Sequence, residues 1–469
     1  MRWNSVALLL ACFVTVVPSA FPREPEAPRP SGPQGAGYVY LAPFEGEARH
    51  LHLRLDGLFA VREDGTKIEV ALSTTEIDGR EWTRERRLAT GALPAGSYRG
   101  LAIRVAAADT EGEEGQADLV TPEEPVEIAV PFSIQKRQAA VLVLRLDGKI
   151  SIEDDFRFTP RFIAHQRPRP AVGLLGLASD QGSDTVTLFN KSTAEVVGVI
   201  PTGSGPAGIA LDQRRRHAFV ALAGDDAVVE IGLLEYQVLN RTRLQGGDAP
   251  LDVALTPDGE TLLTANVGSR SVSLIDASSL AETQRVQVGD EPRGILVDGA
   301  GSRAYVFNTA SSSVSVIDIR EGLVVATIGT QAGPFRGRLN RDEDALYVIH
   351  RFSPYVTVID PEQLAVTGRL YVGPGVTDLD VDVESNFVYL ARRGSGEIEI
   401  FDPLSSLPVG SIDVGGDVSF LTLDLELDTL HALLPETREL RVFNVVDGKL
   451  RGRADLGEGS YWVVVNGER

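Results

Sequence analysis

Seven copies of one short strand pattern recur through the later part of the chain. They are Val186–Asn190 (VTLFN), Val228–Gly232 (VVEIG), Val272–Asp276 (VSLID), Val314–Asp318 (VSVID), Val356–Asp360 (VTVID), Ile398–Asp402 (IEIFD) and Leu440–Asn444 (LRVFN). Their last residues are spaced 42, 44, 42, 42, 42 and 42 apart. A repeat of that length made of short strands cannot bury its apolar faces alone. It must stack against neighbours, and closing the stack into a ring gives a β-propeller.

One unit displays four strands: Arg293–Asp298 (A, innermost), Arg303–Asn308 (B), Ser313–Asp318 (C) and Leu323–Ile328 (D, outermost). A proline-led turn opens most units, at Pro206, Pro250, Pro292, Pro334 and Pro374, with Gly416 and Glu458 in the matching places of the last two. Proline suits such turns because its φ is fixed and it donates no ladder hydrogen bond. The first unit supplies B, C and D (Leu174 to Ile200) without an A strand before them, and the chain ends in a spare strand, Ser460–Val465 (SYWVVV). Pairing the spare strand with the first three completes seven blades and removes the open edge of a linear array.

Residues 37–166 carry no 42-residue repeat. Period-two alternation in Gly37–Leu41, His50–Leu55, Lys67–Leu72, Ser97–Val105, Val126–Val130 and Ala140–Leu146 predicts an N-terminal antiparallel β-sandwich. The expected fold class is therefore all-β. The domain boundaries read 1–20, 21–36, 37–166 and 171–469: a signal peptide, a Pro-rich linker, the sandwich and the seven-bladed β-propeller.

Residues 1–20 join a charged Arg2, an apolar run from Val6 to Val17 and the small-residue site Pro18-Ser19-Ala20, the pattern of a secretory signal peptide. Leu9-Leu10-Ala11-Cys12 resembles a bacterial lipobox, and lipidation of Cys12 would anchor the protein to a membrane. The short apolar run before Cys12, and its continuation through Phe13 to Val17, oppose that alternative. The expected location is extracytoplasmic, periplasmic or secreted. Five prolines within residues 21–36 make an extended, semi-rigid spacer.

The formal net charge of −21 opposes adsorption to nucleic acid or to anionic lipid, both of which need Lys and Arg to meet phosphates. With Cys12 as its one cysteine, the chain forms no intrachain disulfide and holds no CxxC zinc or CxxCH haem motif.

Two resemblances follow from these residues. Leu263–Asn266, Val272–Asp276, Val286–Pro292 and Tyr305–Asn308 resemble the YVTN family of β-propeller repeats over residues 171–469. That family's relatives include surface-layer proteins, lactonase-like enzymes and periplasmic binding proteins. No lactonase catalytic set carries over to these positions. Leu93–Arg104, with Trp82, Val130–Phe132 and Phe158–Phe162, is similar to an uncharacterised family of bacterial secreted domains. That likeness implies a transthyretin-like or carboxypeptidase-regulatory-like sandwich serving as an accessory module.

Chemistry-bearing motifs are sparse. Gly203–Gly208 matches GxGxxG, but a strand follows where a dinucleotide site needs a helix. His50 and His52 share one strand face without a third ligand in register. Asp378, Asp380 and Asp382 alternate along an inner strand before Glu384. Such carboxylates suit either Ca²⁺ or a solvated channel lining, and no metal site is assigned. No cofactor and no catalytic set is assigned either.

The departure from the repeat is basic. Arg270, Arg293, Arg336, His350, Arg351, Arg392 and Arg393 fall in or beside the D–A and B–C loops, which open on one face, and Phe335, Phe352 and Tyr355 accompany them. Arginine's planar fork suits carboxylate, sulfate or phosphate, and a basic sector on an acidic protein focuses anions. The expected role is an exported, non-enzymatic binding or scaffold protein. Its loop face would take a protein partner or an anionic small molecule or polysaccharide through Arg270, Arg293, Arg336, His350, Arg351, Arg392, Arg393 and Tyr355. The alternative is a lactonase-like hydrolase or lyase in the same sector, with His350 as general acid or base.

Overall fold

The computed structural model describes residues 34–112, 115–147, 151–153 and 156–467. The expected signal peptide, with Cys12, and most of the Pro-rich segment 21–36 lie outside the described residues.

Seven four-stranded antiparallel sheets form the propeller. The inner A strands are Ser460–Val465, Pro206–Asp212, Pro250–Leu255, Pro292–Val297, Pro334–Leu339, Val376–Val381 and Phe420–Asp424, for blades I to VII. Blade I closes as expected: its B, C and D strands (Leu175–Asp180, Thr185–Asn190, Glu195–Pro201) come from the start of the ring, and Ser460–Val465 pairs antiparallel with Leu175–Asp180. The register of the opening proline differs from expectation in blade VI. The strand there starts at Val376, two residues after Pro374, so Val376, Val418 and Ser460 continue the places of Pro292 and Pro334.

The two ends of the ring meet between blades I and VII. Lys191, buried in the turn after strand C of blade I, places its Nζ 2.9 Å from both Asp424 Oδ2 and Glu426 Oε2 of blade VII. It also donates to the Asn466 carbonyl at 2.6 Å.

The N-terminal region comprises β1 (Gly35–Leu41), β2 (Leu51–Arg62), β3 (Lys67–Leu72), β4 (Glu76–Asp78), β5 (Arg86–Leu93), β6 (Gly96–Gly112), β7 (Gly115–Leu119), β8 (Val126–Ile134), β9 (Ala139–Leu146), β10 (Ile152–Glu153), β11 (Arg157–Phe158) and β12 (Phe162–Gln166). Ten of these strands form one curled sheet in the order β12-β9-β1-β5-β3-β2-β6-β7, with β4 on β2 and β8 on β6. The two layers expected of a sandwich are thus joined through β3, which pairs with both β2 and β5. All pairings in it are antiparallel except β1 with β9.

That parallel pair is buried on both faces. Val39, Leu41, Leu142 and Leu144 point into the N-terminal core. The alternate residues Tyr38, Tyr40, Val141 and Val143 join the apolar cluster of blades I, II and VII. Arg84 then bridges Glu439 at 2.9 Å and Asp455 at 3.0 Å, both on blade VII, while Arg167 reaches Glu195 of blade I at 3.3 Å. The N-terminal sheet therefore sits across the seam where the ring closes. A cleft of ≈ 240 Å³ remains at this junction, lined by paired charges such as Glu85, Arg167 and Asp455.

Candidate functional site at the channel mouth

The repeat spacing sets one residue of each A strand at the same height: Gly208, Asp252, Gly294, Arg336, Asp378, Phe420 and Trp462 for blades II to VII and I. Arg336 fills the middle of this layer. Its guanidinium carbon lies 4.2 Å from the Phe420 ring centroid and 4.0 Å from that of Trp462, and its Nη1 donates to Asp378 Oδ1 at 2.8 Å. Arginine tolerates this site because its weakly hydrated plane stacks on aromatic faces while its edge still donates.

The carboxylates of the inner strands act as stitches between blades. Asp252 Oδ2 accepts from the Ile295 amide at 2.9 Å, Asp378 Oδ2 from Leu421 at 2.8 Å and Asp380 Oδ2 from Leu423 at 2.9 Å. Arg338 Nε donates to Asp380 Oδ1 at 3.0 Å. Asp382 caps its own turn by accepting from the Glu384 amide at 2.8 Å. Among the described residues no group of three or more His, Cys, Asp and Glu side chains is placed to hold a metal ion. Burial pushes the Asp252 carboxyl up to about 7, against the pull of Arg336. Burial likewise raises Asp378 despite its ion pair.

Tyr461 precedes Trp462 on the inner strand of blade I, with the two ring centroids 6.3 Å apart. Burial holds its phenol above the ordinary range, with Arg336 pulling it down, Asp252 pushing it up, and Arg293 and Arg351 pulling it down. Tyr461 is thus a neutral donor within electrostatic reach of three arginines. Beside it in sequence, Trp462 is buried and its Nε1 has no hydrogen-bond partner among the described residues. A buried donor without an acceptor costs about 1–3 kcal/mol, so this layer is suited to receive one.

The other rim residues are placed differently. Arg270 pairs with Asp290 at 3.1 Å and Arg392 with Glu399, while Arg293 meets Glu291 at 2.7 Å. Arg351 and Arg393 are exposed and form no ion pair among the described residues. His350 is not a rim group. It ends strand B of blade V, buried, with Nδ1 3.1 Å from the Tyr355 carbonyl oxygen and Nε2 3.4 Å from Thr357 Oγ1.

Blades III and IV carry Asn266 and Asn308 at the same place, each donating to two serines of strand C. His350 is the bulkier version of that tie. Burial lowers its pKa to about 4, so it is neutral near pH 7. A depressed histidine pKa means the unfolded state takes the proton first, so stability falls as pH drops from about 6.5 through about 4. The His350→Asn variant is therefore expected to gain Tm relative to wild type as pH is lowered from 7.5 to 4.5. Parallel melts at the two pH values check this, and a constant difference between the proteins would contradict it.

Of the eight residues singled out in the sequence, three (Arg293, Arg336 and Arg351) act electrostatically on the Tyr461 phenol. Tyr461, Trp462, Phe420 and Asp252 had to be found in the structure. Their signal was the 42-residue register read down the A strands.

With this geometry in view, the model of one family, described as "Lactonase, 7-bladed beta-propeller", matches residues 164–324. No curated protein matches the chain. Three solved structures are similar. A functionally unknown protein from Desulfotomaculum acetoxidans is 16% identical with TM-score 0.55, covering 63% of this chain and 99% of that one. The dihydro-heme d1 dehydrogenase NirN, in complex with DHE, is 14% identical with TM-score 0.51, covering 64% and 77%. Hydrazine synthase of Kuenenia stuttgartiensis is 19% identical with TM-score 0.49, covering 54% and 87%. For the first two, at these identities, the likeness is one of fold.

Proposed function

We propose that this is an extracytoplasmic binding protein that takes an anionic, carboxylate-bearing ligand at the channel mouth. The observation that carries the reading is the buried Trp462 Nε1 donor without a partner, against the Arg336 guanidinium stacked on its ring, with Arg293 and Arg351 close enough for their charges to act on the neighbouring Tyr461 phenol. Arg336 itself is committed to Asp378 and the two rings, so it shapes the floor, while Arg351 binds and Arg293 exchanges its partly exposed partner Glu291 for the ligand. The neutral, backbone-tied His350 supports binding rather than proton transfer. The signal-peptide pattern of residues 1–20 supports the location.

Calorimetric titration with citrate at low ionic strength is the test. Saturable binding is expected, weakened about tenfold or more in Arg293→Ala/Arg351→Ala, since charge-assisted contacts contribute about 1.5–3 kcal/mol each. Identical heats for both proteins would remove the reading.

The family match over residues 164–324 favours a second reading, a hydrolase opening lactones at the same mouth. Turnover of a panel of sugar and aliphatic lactones, lost in Tyr461→Phe, would establish it in place of the first.

A further inference from the structure

A second set of groups on the same face of blade V is not used by the channel mouth. Phe352 in the B–C loop is 73% exposed, Tyr371 at the end of strand D (Ala365–Tyr371) is 63% exposed, and Tyr355 at the start of strand C (Tyr355–Asp360) is 39% exposed. Tyr355 and Tyr371 are cross-strand partners, with ring centroids 5.4 Å apart and planes at 67°. Arg369 lies two residues before Tyr371, on the same side of strand D, and the Gln331 amide lies within 3.3 Å of its guanidinium. Arg351 adjoins Phe352, and neither arginine forms an ion pair among the described residues.

Three exposed rings in one corner need a reason, because burial of their apolar area is worth about 25 cal/mol per Å². A protein-binding patch of that kind is expected to have a contiguous apolar core within about 800 Å² per partner. Here the exposed large apolar groups at the corner are the rings alone, interleaved with arginines. The exposed leucines and valines lie elsewhere, for example at Leu323 on blade IV, Leu404 on blade VI and Val446 on blade VII. Isolated aromatic faces flanked by unpaired planar cations match a chain of sugar rings bearing carboxylates. The C–H faces of the pyranoses stack on the rings, while the uronate oxygens take both donors of an arginine fork.

We propose that the blade V corner is a binding ledge for an acidic, uronate-type polysaccharide, with Phe352, Tyr355 and Tyr371 as the platform and Arg351 and Arg369 as the carboxylate clamps. It rests on the reading of this face as the ligand-binding one; it shares Arg351 with the channel mouth and adds Phe352, Tyr355, Tyr371 and Arg369. No bond is made or broken.

Affinity electrophoresis in gels containing alginate, polyglutamate or dextran tests it. Alginate is expected to retard the protein and dextran to leave it unaffected. Phe352→Ala/Tyr371→Ala and Arg369→Ala are each expected to weaken the alginate effect roughly tenfold, with citrate binding at the channel mouth retained. An unchanged alginate shift in Phe352→Ala/Tyr371→Ala would overturn the ledge. So would equal retardation by polyglutamate, which would make the corner a surface for an acidic protein. Loss of citrate binding with alginate binding intact would count against the channel-mouth reading alone.

Discussion

Removing residues 460–467 is expected to abolish the cooperative unfolding transition of the ring. Ser460–Val465 is the inner strand of blade I, and Trp462, Val463, Val464 and Val465 are each at most 8% exposed. Burying such a side chain is worth about 1.5–3 kcal/mol, so four of them contribute on the order of the whole net stability of a domain, about 5–15 kcal/mol. The loss also uncovers Leu175–Asp180 as an unpaired edge, takes away one ring that holds Arg336, and removes the Asn466 carbonyl that Lys191 uses. Circular dichroism melts and size exclusion of the truncated protein are the check. A native-like melting temperature would mean that six blades and three strands close without the chain end.

Lys191→Met is expected to destabilise the protein by about 3–5 kcal/mol, the cost of leaving a buried charge without its partner. The stranded group is Asp424, fully buried on blade VII, whereas Glu426 is exposed and can turn to water. The double variant Lys191→Met/Asp424→Leu should recover much of the loss, because neither member of the pair then remains unpaired. Denaturant midpoints of wild type, both single variants and the double variant measure the coupling. Additive losses would show that the seam does not depend on this pair. The ends of the ring are thus held by three kinds of contact: the strand ladder of blade I, the Lys191 ion pair and the N-terminal sheet across blades I and VII.

Most of the propeller was legible in the chain because each repeat writes the same alternation at the same interval. The spare terminal strand was equally plain, since an A strand was missing where the ring begins. Where one residue type departed from the repeat, the reading slipped: Pro374 looked like Pro334 displaced, yet Val376 holds the register. The N-terminal sheet was harder. Gly37–Leu41 and Ala140–Leu146 are nearly continuous apolar runs because β1 and β9 are buried on both faces, one towards their own core and the other towards the cluster of blades I, II and VII. Nothing in a single strand reveals that a second domain covers it, nor that β3 joins the two layers.

The site was legible by residue type and not by contact. Seven basic residues stood out from an acidic chain, but their partners are set by loop geometry: Asp290 for Arg270, Glu291 for Arg293, Glu399 for Arg392. His350 reads in the sequence as a loop-side binding residue, and in the alternative as an acid or base; in the structure it is buried and the counterpart of Asn266 and Asn308. Arg336 looked like a rim residue, and only the stacking of A strands at 42-residue intervals shows it in the channel between Phe420 and Trp462.

Because Trp462 forms part of the proposed floor, its fluorescence reports on the mouth directly. Titrating the protein with citrate should change the emission saturably, with the change absent in Trp462→Phe and shifted about tenfold or more to higher citrate in Arg293→Ala/Arg351→Ala. A citrate-dependent signal that survives Trp462→Phe, or one that the arginine substitutions leave in place, would contradict an anion site at the channel mouth.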